Sequence, residues 1–304
     1  MPDQYKVNDE APLGLNLRTE PDPTANNIVA VIPFGHEVKK LADSPVSNWW
    51  KVETTLNGAV ATGFVNKKFL TLVGTGAIPI THTRVVEVNL SPTNVTRQNR
   101  KYPFPLSETP PVRRHKEDSE AVRVSAINKL LDWFDVESSP RYLLAGGMTF
   151  CNIYAYDYCY MTEAYLPRVW WTQQAIIKLQ AGQNVPVQYG ETVSELNANR
   201  LTQWFKDWGS HFGWQRTLDL TELQEAANKG KVCITVAKAK PNFHNGHGHI
   251  VAVVPETSQF KAGRQNGKVT QTVQSQAGRN NHKRIVRNWW SDGTYSDFGH
   301  WIHE

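Results

Sequence analysis

The chain has 304 residues, of which 40% are hydrophobic and 20% are charged, a composition typical of globular domains and unlike that of a disordered chain. The length accommodates two domains of ordinary size. The formal net charge of +5 comes from scattered Lys and Arg residues. No nucleic-acid-binding motif accompanies that charge, so we expect no nucleic-acid partner.

Neither a membrane span nor a leader is evident in the sequence. No apolar run is long enough to cross a bilayer, so we expect no membrane insertion. The N-terminus, MPDQYKVNDE, has neither a basic start nor an apolar signal core. Either a leader has been removed or export does not use one.

The first 73 residues have the pattern of a small all-β domain. Short alternating runs such as LNLR, IVAVIP, HEVKKL, WWKVE, ATGFV and FLTLV are separated by the turn signals PDP, PFG and DSP. Many short strands at this spacing predict a small β-barrel.

Four motifs in this region resemble those of bacterial SH3-like domains. An L-N-x-R-x-x-P opening lies at Leu15–Pro21, a G-x-x-V hairpin at Gly35–Val38, a W-x-V strand at Trp50–Val52 and a G-F-V-x-x-x-F-L closure at Gly63–Leu70. The resemblance implies an SH3-like domain over residues 1–73 that binds cell-wall peptide. The alternative is a barrel that only packs on its neighbour.

Residues 74–118 are rich in Pro, Thr and Asn and lack sustained periodicity, so we expect a linker that lies over a domain surface, with a strand possible at TRVVEVNL. A helix follows, because Val122, Ile127, Leu130 and Phe134 fall near helical spacing. Ser119 can cap its first turn.

The rest of the chain, residues 119–304, predicts a second domain with helices first and strands after. A Trp-rich stretch from about 168 to 230 reads as helical, and the runs KVCITVAKA, HIVAVVPE, KVTQTVQSQ and GHWIHE read as strands. Helices followed by antiparallel strands give an α+β domain.

Cys151 has the sequence context of a nucleophile. It follows Thr149 and opens the run CNIYAYDYC, so a cap at Thr149 would place it in the first turn of a helix. There the free backbone N–H groups and the helix dipole lower a thiol pKa and can stabilise an oxyanion.

Cys151 and Cys159 do not form a pair. Eight residues of helix separate their Cα atoms by about 12 Å, beyond the roughly 7 Å limit for a disulfide. We therefore interpret Cys159 as a core residue. The third cysteine, Cys233, leaves at least one thiol free in any pairing.

A histidine that could act as base lies in the segment FHNGHGHIVAVVPE. His249 opens an apolar strand, and the glycine before it permits close approach of another backbone or a substrate. His247 and His244 are weaker candidates. A zinc site is the competing interpretation, but no carboxylate or thiol accompanies these histidines, so we expect neither metal nor cofactor.

A polar residue is also needed to orient the histidine through its other ring nitrogen. Gln274 and Gln276 share one face of the next predicted strand, and Asn280 and Asn281 follow it. We take Gln276 and Asn281 as the candidates, and the sequence does not choose between them.

The motifs TFCNIYAYDYC, YLPRVWW, GHGHIVAVV and VQSQAGRNN, in this order, resemble papain-fold cysteine amidases of the CHAP and NlpC kind. The resemblance implies a papain-like domain that cleaves peptidoglycan amides, with Cys151 as nucleophile and His249 as base. Phe150 and Asn152 depart from the family, which often has Ser or Trp beside the cysteine.

Substrate contacts are expected from residues around these motifs, namely Asn152, Trp170, Trp171 and His247. Trp204 and Trp208 are four residues apart on one predicted helix, which suits a stacking face or a packed core. Core packing is the interpretation we favour for most of the tryptophans.

Together these features predict a monomeric peptidoglycan hydrolase, an amidase or endopeptidase, that acts in the periplasm, at the wall or as a secreted protein. A phage lysin would look the same. Two alternatives stay open: a Cys–His toxin or transferase that acts on a protein amide, and a wall-binding protein without activity.

Overall fold

A computed structural model describes residues 4–8, 11, 14–24, 26–56, 58–73 and 85–304 of the chain. The chain divides into two compact units, Met1–Thr81 and His82–Glu304. Its class is mixed α+β, as the sequence predicts, with all five helices of the described residues in the second unit. None of the described helices is both long and apolar enough to cross a membrane.

The first unit is a single antiparallel sheet. Its strands are β1 (Gln4–Val7), β2 (Leu15–Arg18), β3 (Ile28–Ile32), β4 (Glu37–Asp43), β5 (Trp49–Leu56), β6 (Ala59–Asn66) and β7 (Leu70–Leu72). They lie in the order β3-β2-β6-β5-β4-β1-β7. Alternate residues such as Tyr5, Val7, Leu15 and Leu17 are buried together in one core, which is the period-2 pattern expected of a half-buried sheet.

The described residues of the second unit form five helices and nine strands. They are α1 (Glu120–Phe134), α2 (Cys151–Met161), β8 (Val169–Trp171), α3 (Gln173–Gln180), β9 (Val193–Glu195), α4 (Ala198–Trp208), β10 (Gln215–Thr217), α5 (Leu220–Asn228), β11 (Val232–Ala239), β12 (His249–Val253), β13 (Gly263–Gln265), β14 (Lys268–Gln276), β15 (His282–Arg287) and β16 (Tyr295–His303). The main sheet is antiparallel, in the order β10-β16-β11-β12-β14-β13, and β15 also pairs with β14.

The two central strands β11 and β12 are buried on both faces. Ile234 and Ala252 lie in the core that holds α1, α2 and α4. Their neighbours Cys233 and Val253 lie in a second core with α5. Strands covered on both faces become continuously apolar, which explains the unbroken runs VCITVA and HIVAVV.

The described part of the predicted linker, residues 85–118, contributes to the second unit. Val85, Val88, Val95 and Leu106 are buried in its main core. These residues are irregularly spaced, so no periodicity marks them in the sequence. Residues 85–90 have no regular secondary structure, in place of the strand considered there, and residues 74–84 lie outside the described residues. The predicted domain limits stay a prediction.

Several local predictions are confirmed and others are wrong. Ser119 caps α1 by accepting a hydrogen bond from the Val122 N–H, as predicted, although the Val122 side chain is 50% exposed. Trp170 and Trp171, expected in a helix, form β8 instead. The stretch from about 168 to 230, predicted to be helical, forms three helices interleaved with short strands. Where apolar runs are short, their pattern in the sequence does not distinguish a strand from a helix.

A buried ion pair fixes helix α2. The Asp157 carboxylate receives two hydrogen bonds from Arg141, from Nε at 2.6 Å and from Nη2 at 3.1 Å, and a third from the Tyr142 hydroxyl at 3.1 Å. Both charged side chains are fully buried. Three residues before Asp157 in the same helix, the Tyr154 hydroxyl shares a hydrogen bond of 2.5 Å with Ser275 of β14.

Removing one partner of the Arg141–Asp157 pair should strongly destabilise the second unit. We expect Asp157→Asn to lower the free energy of unfolding by about 3–5 kcal/mol, because Arg141 is left buried without its counter-charge. Guanidinium unfolding of the full chain measures the loss.

The matched control is the exposed pair between Lys283 Nζ and Asp132 Oδ1, 2.9 Å apart. Lys283→Met should cost less than about 1 kcal/mol. Equal losses for Asp157→Asn and Lys283→Met would contradict the role given to the buried pair.

Candidate active site

The candidate site lies where strands β12 and β14 stop pairing. Their ladder contains only Ala252 with Ser275 and Val253 with Gln274. If the same register continued, Ile250 would pair with Ala277. Instead, the Ile250 N–H faces the Cys151 thiol at the start of α2. The first residue of α2 therefore lies beside the part of β12 that does not pair with β14.

Helix α2 begins at Cys151, as predicted, but Thr149 does not cap it. The cap residue is Phe150, and no side chain hydrogen-bonds to the first turn. The Cys151 and Asn152 N–H groups consequently remain available to the sulfur, and both lower the pKa of the thiol. The prediction of a Thr149 cap was wrong, whereas the first-turn position of the cysteine is confirmed.

Burial acts against the helix start at the Cys151 thiol. Cys151 is only 5% exposed, and burial raises the pKa of its thiol to about 11 against the effect of the three backbone N–H groups and Arg168. Desolvation disfavours the charged form. The lowered thiol pKa expected from the sequence is therefore wrong for this closed arrangement.

His249 stands at the first position of β12 and contacts Gln276 at the last position of β14. His249 Nε2 and Gln276 Oε1 are 2.9 Å apart. Gln276 donates through its Nε2 to the Asn280 carbonyl at 3.3 Å, so its Oε1 is the atom turned to the imidazole. The His249 Nε2 must then carry the proton, which leaves Nδ1 as the acceptor.

The imidazole is neutral. Burial lowers the pKa of His249 to about 4, with a further contribution from the Arg287 charge. The Trp289 ring packs edge-on against the imidazole, with ring centroids 4.7 Å apart.

Gly248, the residue before His249, lies so close to other protein atoms that a side chain would not fit there. A Cβ added at Gly248 would lie 2.3 Å from the Ala237 carbonyl oxygen and 2.4 Å from Asn199 Oδ1. The close approach expected from the sequence is confirmed, and the approaching groups are protein atoms.

Asn199 supports the His249 loop and was not predicted. It lies in the first turn of α4 and is buried. Its Nδ2 donates to the Gly246 carbonyl at 2.7 Å, and its Oδ1 accepts from the Ala239 N–H at 3.1 Å. The sequence offered a signal in the glycines of GHG, which imply a close neighbour, but it did not identify that neighbour.

Asn281 is not the residue that contacts the histidine. Its Nδ2 donates to the Val136 and Tyr142 carbonyls at 2.6 and 3.1 Å, and its Oδ1 accepts from the Gly278 N–H at 2.9 Å. The amide is occupied in holding the loop after β14. Of the two candidates, the structure brings only Gln276 to His249.

The predicted substrate contacts have different environments. Trp170 and Trp171 are buried in the core, so their faces are not available for stacking and that prediction was wrong. Trp170 packs against Trp204 and Trp208 instead. Asn152 donates to the Leu196 carbonyl at 2.8 Å, and His247 is exposed on the loop before β12.

The three cysteines and the loop histidine His244 have separate environments. All three thiols are free and buried, and Cys159 is a core residue as predicted. His244 contacts the Thr294 hydroxyl at 2.7 Å and stacks on Tyr295. Within the described ranges, no group of three His, Cys, Asp or Glu residues could hold a metal ion.

Comparison with known proteins gives little similarity. No family model and no curated protein matches the sequence. Among solved structures, "Structure of NlpC1 from Trichomonas vaginalis" is 10% identical, with a TM-score of 0.27 over 100% of this chain and 69% of that chain. "Structure of NlpC2 from Trichomonas vaginalis" is 11% identical, with a TM-score of 0.26 over 100% of this chain and 72% of that chain. Likenesses of this size define neither fold nor function.

Replacing Gly248 should displace His249. We expect Gly248→Ala to weaken the His249–Gln276 hydrogen bond and to destabilise the second unit, because the new methyl group meets the backbone of β11. Thermal unfolding and the NMR shift of the His249 ring measure the two effects. Gly278→Ala is the control on the same hydrogen bond: its Cβ would lie at ordinary contact distance, 3.6 Å, from His249 Cε1 and Gln276 Nε2, so it should displace neither. Identical behaviour of the two variants would refute the assignment.

The raised thiol pKa predicts a specific pH dependence of alkylation. The rate of Cys151 modification by iodoacetamide should increase continuously from pH 6 to 10, because the thiolate fraction grows until the pH reaches about 11. Peptide mass spectrometry resolves Cys151 from Cys159 and Cys233, which are fully buried and serve as internal controls. A rate that is already constant above pH 7 would indicate a thiolate–imidazolium pair instead.

Proposed function

We propose that the second unit is a cysteine hydrolase that cleaves an amide bond, with Cys151 as nucleophile, His249 as general base and Gln276 as the residue that orients the base. The observation that carries the proposal is the His249–Gln276 contact, which commits Nε2 to the glutamine and leaves Nδ1 to take a proton. The Cys151 thiol lies against the N–H of Ile250, the residue after His249.

The reaction follows from these positions. Cys151 Sγ forms a bond to the substrate carbonyl carbon while its proton passes to His249 Nδ1. The N–H groups at the start of α2 are suited to the oxyanion that develops. The C–N bond then breaks, the amine leaves with the proton from His249, and water hydrolyses the thioester.

We further propose that the substrate is a peptide of the bacterial cell wall. This rests on the motifs of the first unit that resemble SH3-like domains, whose four pieces fall on or beside strands β2, β4, β5, β6 and β7. In this proposal the first unit holds the protein at the wall and the enzyme works outside the cytoplasm. Loss of turbidity of purified walls, with release of free amine, tests the substrate class.

The burial of Cys151 favours one other candidate function, a wall-binding protein without activity. A thiol with a pKa of about 11 is a poor nucleophile at neutral pH. The two candidates differ in covalent chemistry. A peptide carrying a chloromethyl ketone should label Cys151 in a hydrolase, whereas an inactive binder retains wall binding in Cys151→Ala and is not labelled.

The Cys151→Ala variant should lose all release of amine from walls, and Gln276→Ala should retain part of it. We expect kcat of Gln276→Ala to decrease by no more than the roughly 10²–10⁴-fold that a positioned base contributes. Its KM should change little. Asn281→Ala is the variant for comparison. It should lose stability, because it removes the hydrogen bonds from the Asn281 amide to the Val136 and Tyr142 carbonyls. Full activity of Cys151→Ala would eliminate the mechanism.

The pH profile of kcat/KM gives a separate check. Because burial lowers the His249 pKa to about 4, the base stays unprotonated down to that pH. The acidic limb should therefore have its midpoint near pH 4. A midpoint near 6.5, the ordinary value for histidine, would show that the imidazole is solvated in the working enzyme.

A further inference from the structure

A polar cleft lies beside the candidate site. It has a volume of about 510 Å³ and is lined by Gln271, Val286, Arg287, Asn288, Trp289, Ser291 and Asp292. The cleft forms where β15 ends at Arg287 and the chain turns through Trp289–Ser291. Trp289 is buried at its base, whereas Arg287, Asn288 and Ser291 are exposed at its rim.

One indole separates this cleft from the base. Trp289 lines the cleft and also packs against His249, with ring centroids 4.7 Å apart. Trp289 is held in place because its Nε1 donates to Gln274 Oε1 at 3.0 Å. A group bound in the cleft would therefore lie next to the residue that accepts the proton.

The cleft contains one basic and one acidic side chain, Arg287 and Asp292. Among the described residues, no ion pair joins the Arg287 guanidinium to a carboxylate, so its N–H donors are not taken up by Asp292. Asp292 Oδ1 accepts hydrogen bonds from the Thr294 N–H and hydroxyl at 2.9 and 2.5 Å. Against the effect of burial, these bonds, with a smaller contribution from the Arg287 charge, lower the pKa of the Asp292 carboxyl. The Arg287 charge reaches His249, where it contributes to the lowered pKa.

We propose that this cleft binds a carboxylate of the peptide substrate and that Arg287 selects substrates that carry one. A guanidinium offers two parallel N–H donors that match the two oxygens of a carboxylate. The Asn288 side-chain amide at the rim is a further hydrogen-bond donor, whereas the Ser291 hydroxyl donates to the Asn288 carbonyl at 2.9 Å. The inference rests on the proposed function, since it assigns a specificity residue to the same site.

The test measures binding to the full-length Cys151→Ala protein, so that it does not depend on hydrolysis. The probes are acetyl-Ala-Glu amide and acetyl-Glu-Ala amide, each compared with its glutamine counterpart, in NMR titrations. At least one glutamate peptide should bind about tenfold more tightly than its glutamine counterpart, the usual effect of a charge-assisted hydrogen bond. Arg287→Gln should remove that difference, whereas Lys178→Gln, an exposed lysine of α3 that does not line the cleft, should keep it.

A second readout separates recognition from a structural effect. Arg287→Gln should raise the pKa of the His249 ring, because the charge that lowers it is gone. Equal binding of all four peptides, or a preference that survives in Arg287→Gln, would overturn the inference. If the preference depends on Arg287 but the native protein releases no amine, the inference stands and the proposed hydrolysis fails.

Discussion

The position of helix α2 is the constraint on which the candidate site depends. This helix is buried along almost its whole length, and it carries one carboxylate, Asp157, into the core. A buried charge is tolerated only where partners satisfy it. Arg141 and Tyr142 do so with three hydrogen bonds. Because those bonds are directional, they restrict sliding or rotation of α2 in a way that apolar packing alone would not.

The sheet uses that fixed helix to build the site. From Val251 back to His249, the strand β12 no longer pairs with β14. Two other contacts lie in this part of the sheet. The Ile250 N–H faces the sulfur of Cys151, and a side-chain bond between His249 and Gln276 joins the two strand ends. Cys151, His249 and Gln276 thus lie where the pairing of β12 with β14 ends.

The sequence predicted those parts of the site that depend on local patterns. Cys151 at a helix start and His249 at a strand start follow from periodicity and from the glycine at 248. The choice between Gln276 and Asn281 could not be made, because it depends on which amide is already occupied by distant carbonyls such as that of Val136. Asn199 was missed for the same reason, since its partners are brought to it by the fold.

The direction of the Cys151 pKa shift is the property that local reasoning predicted wrongly. A helix N-terminus stabilises an anion by about 0.3–1 kcal/mol, up to about 2 kcal/mol in a partly buried geometry. The net rise of the Cys151 pKa from 9.0 to about 11 corresponds to about 3 kcal/mol in the opposite direction. Desolvation therefore exceeds the effect of the helix even after the backbone N–H groups have acted. A helix start favours a thiolate only when water or a charged partner also reaches it. In the mechanism we propose, burial also lowers the pKa of the His249 imidazole, so charge separation would have to accompany bond formation to the substrate.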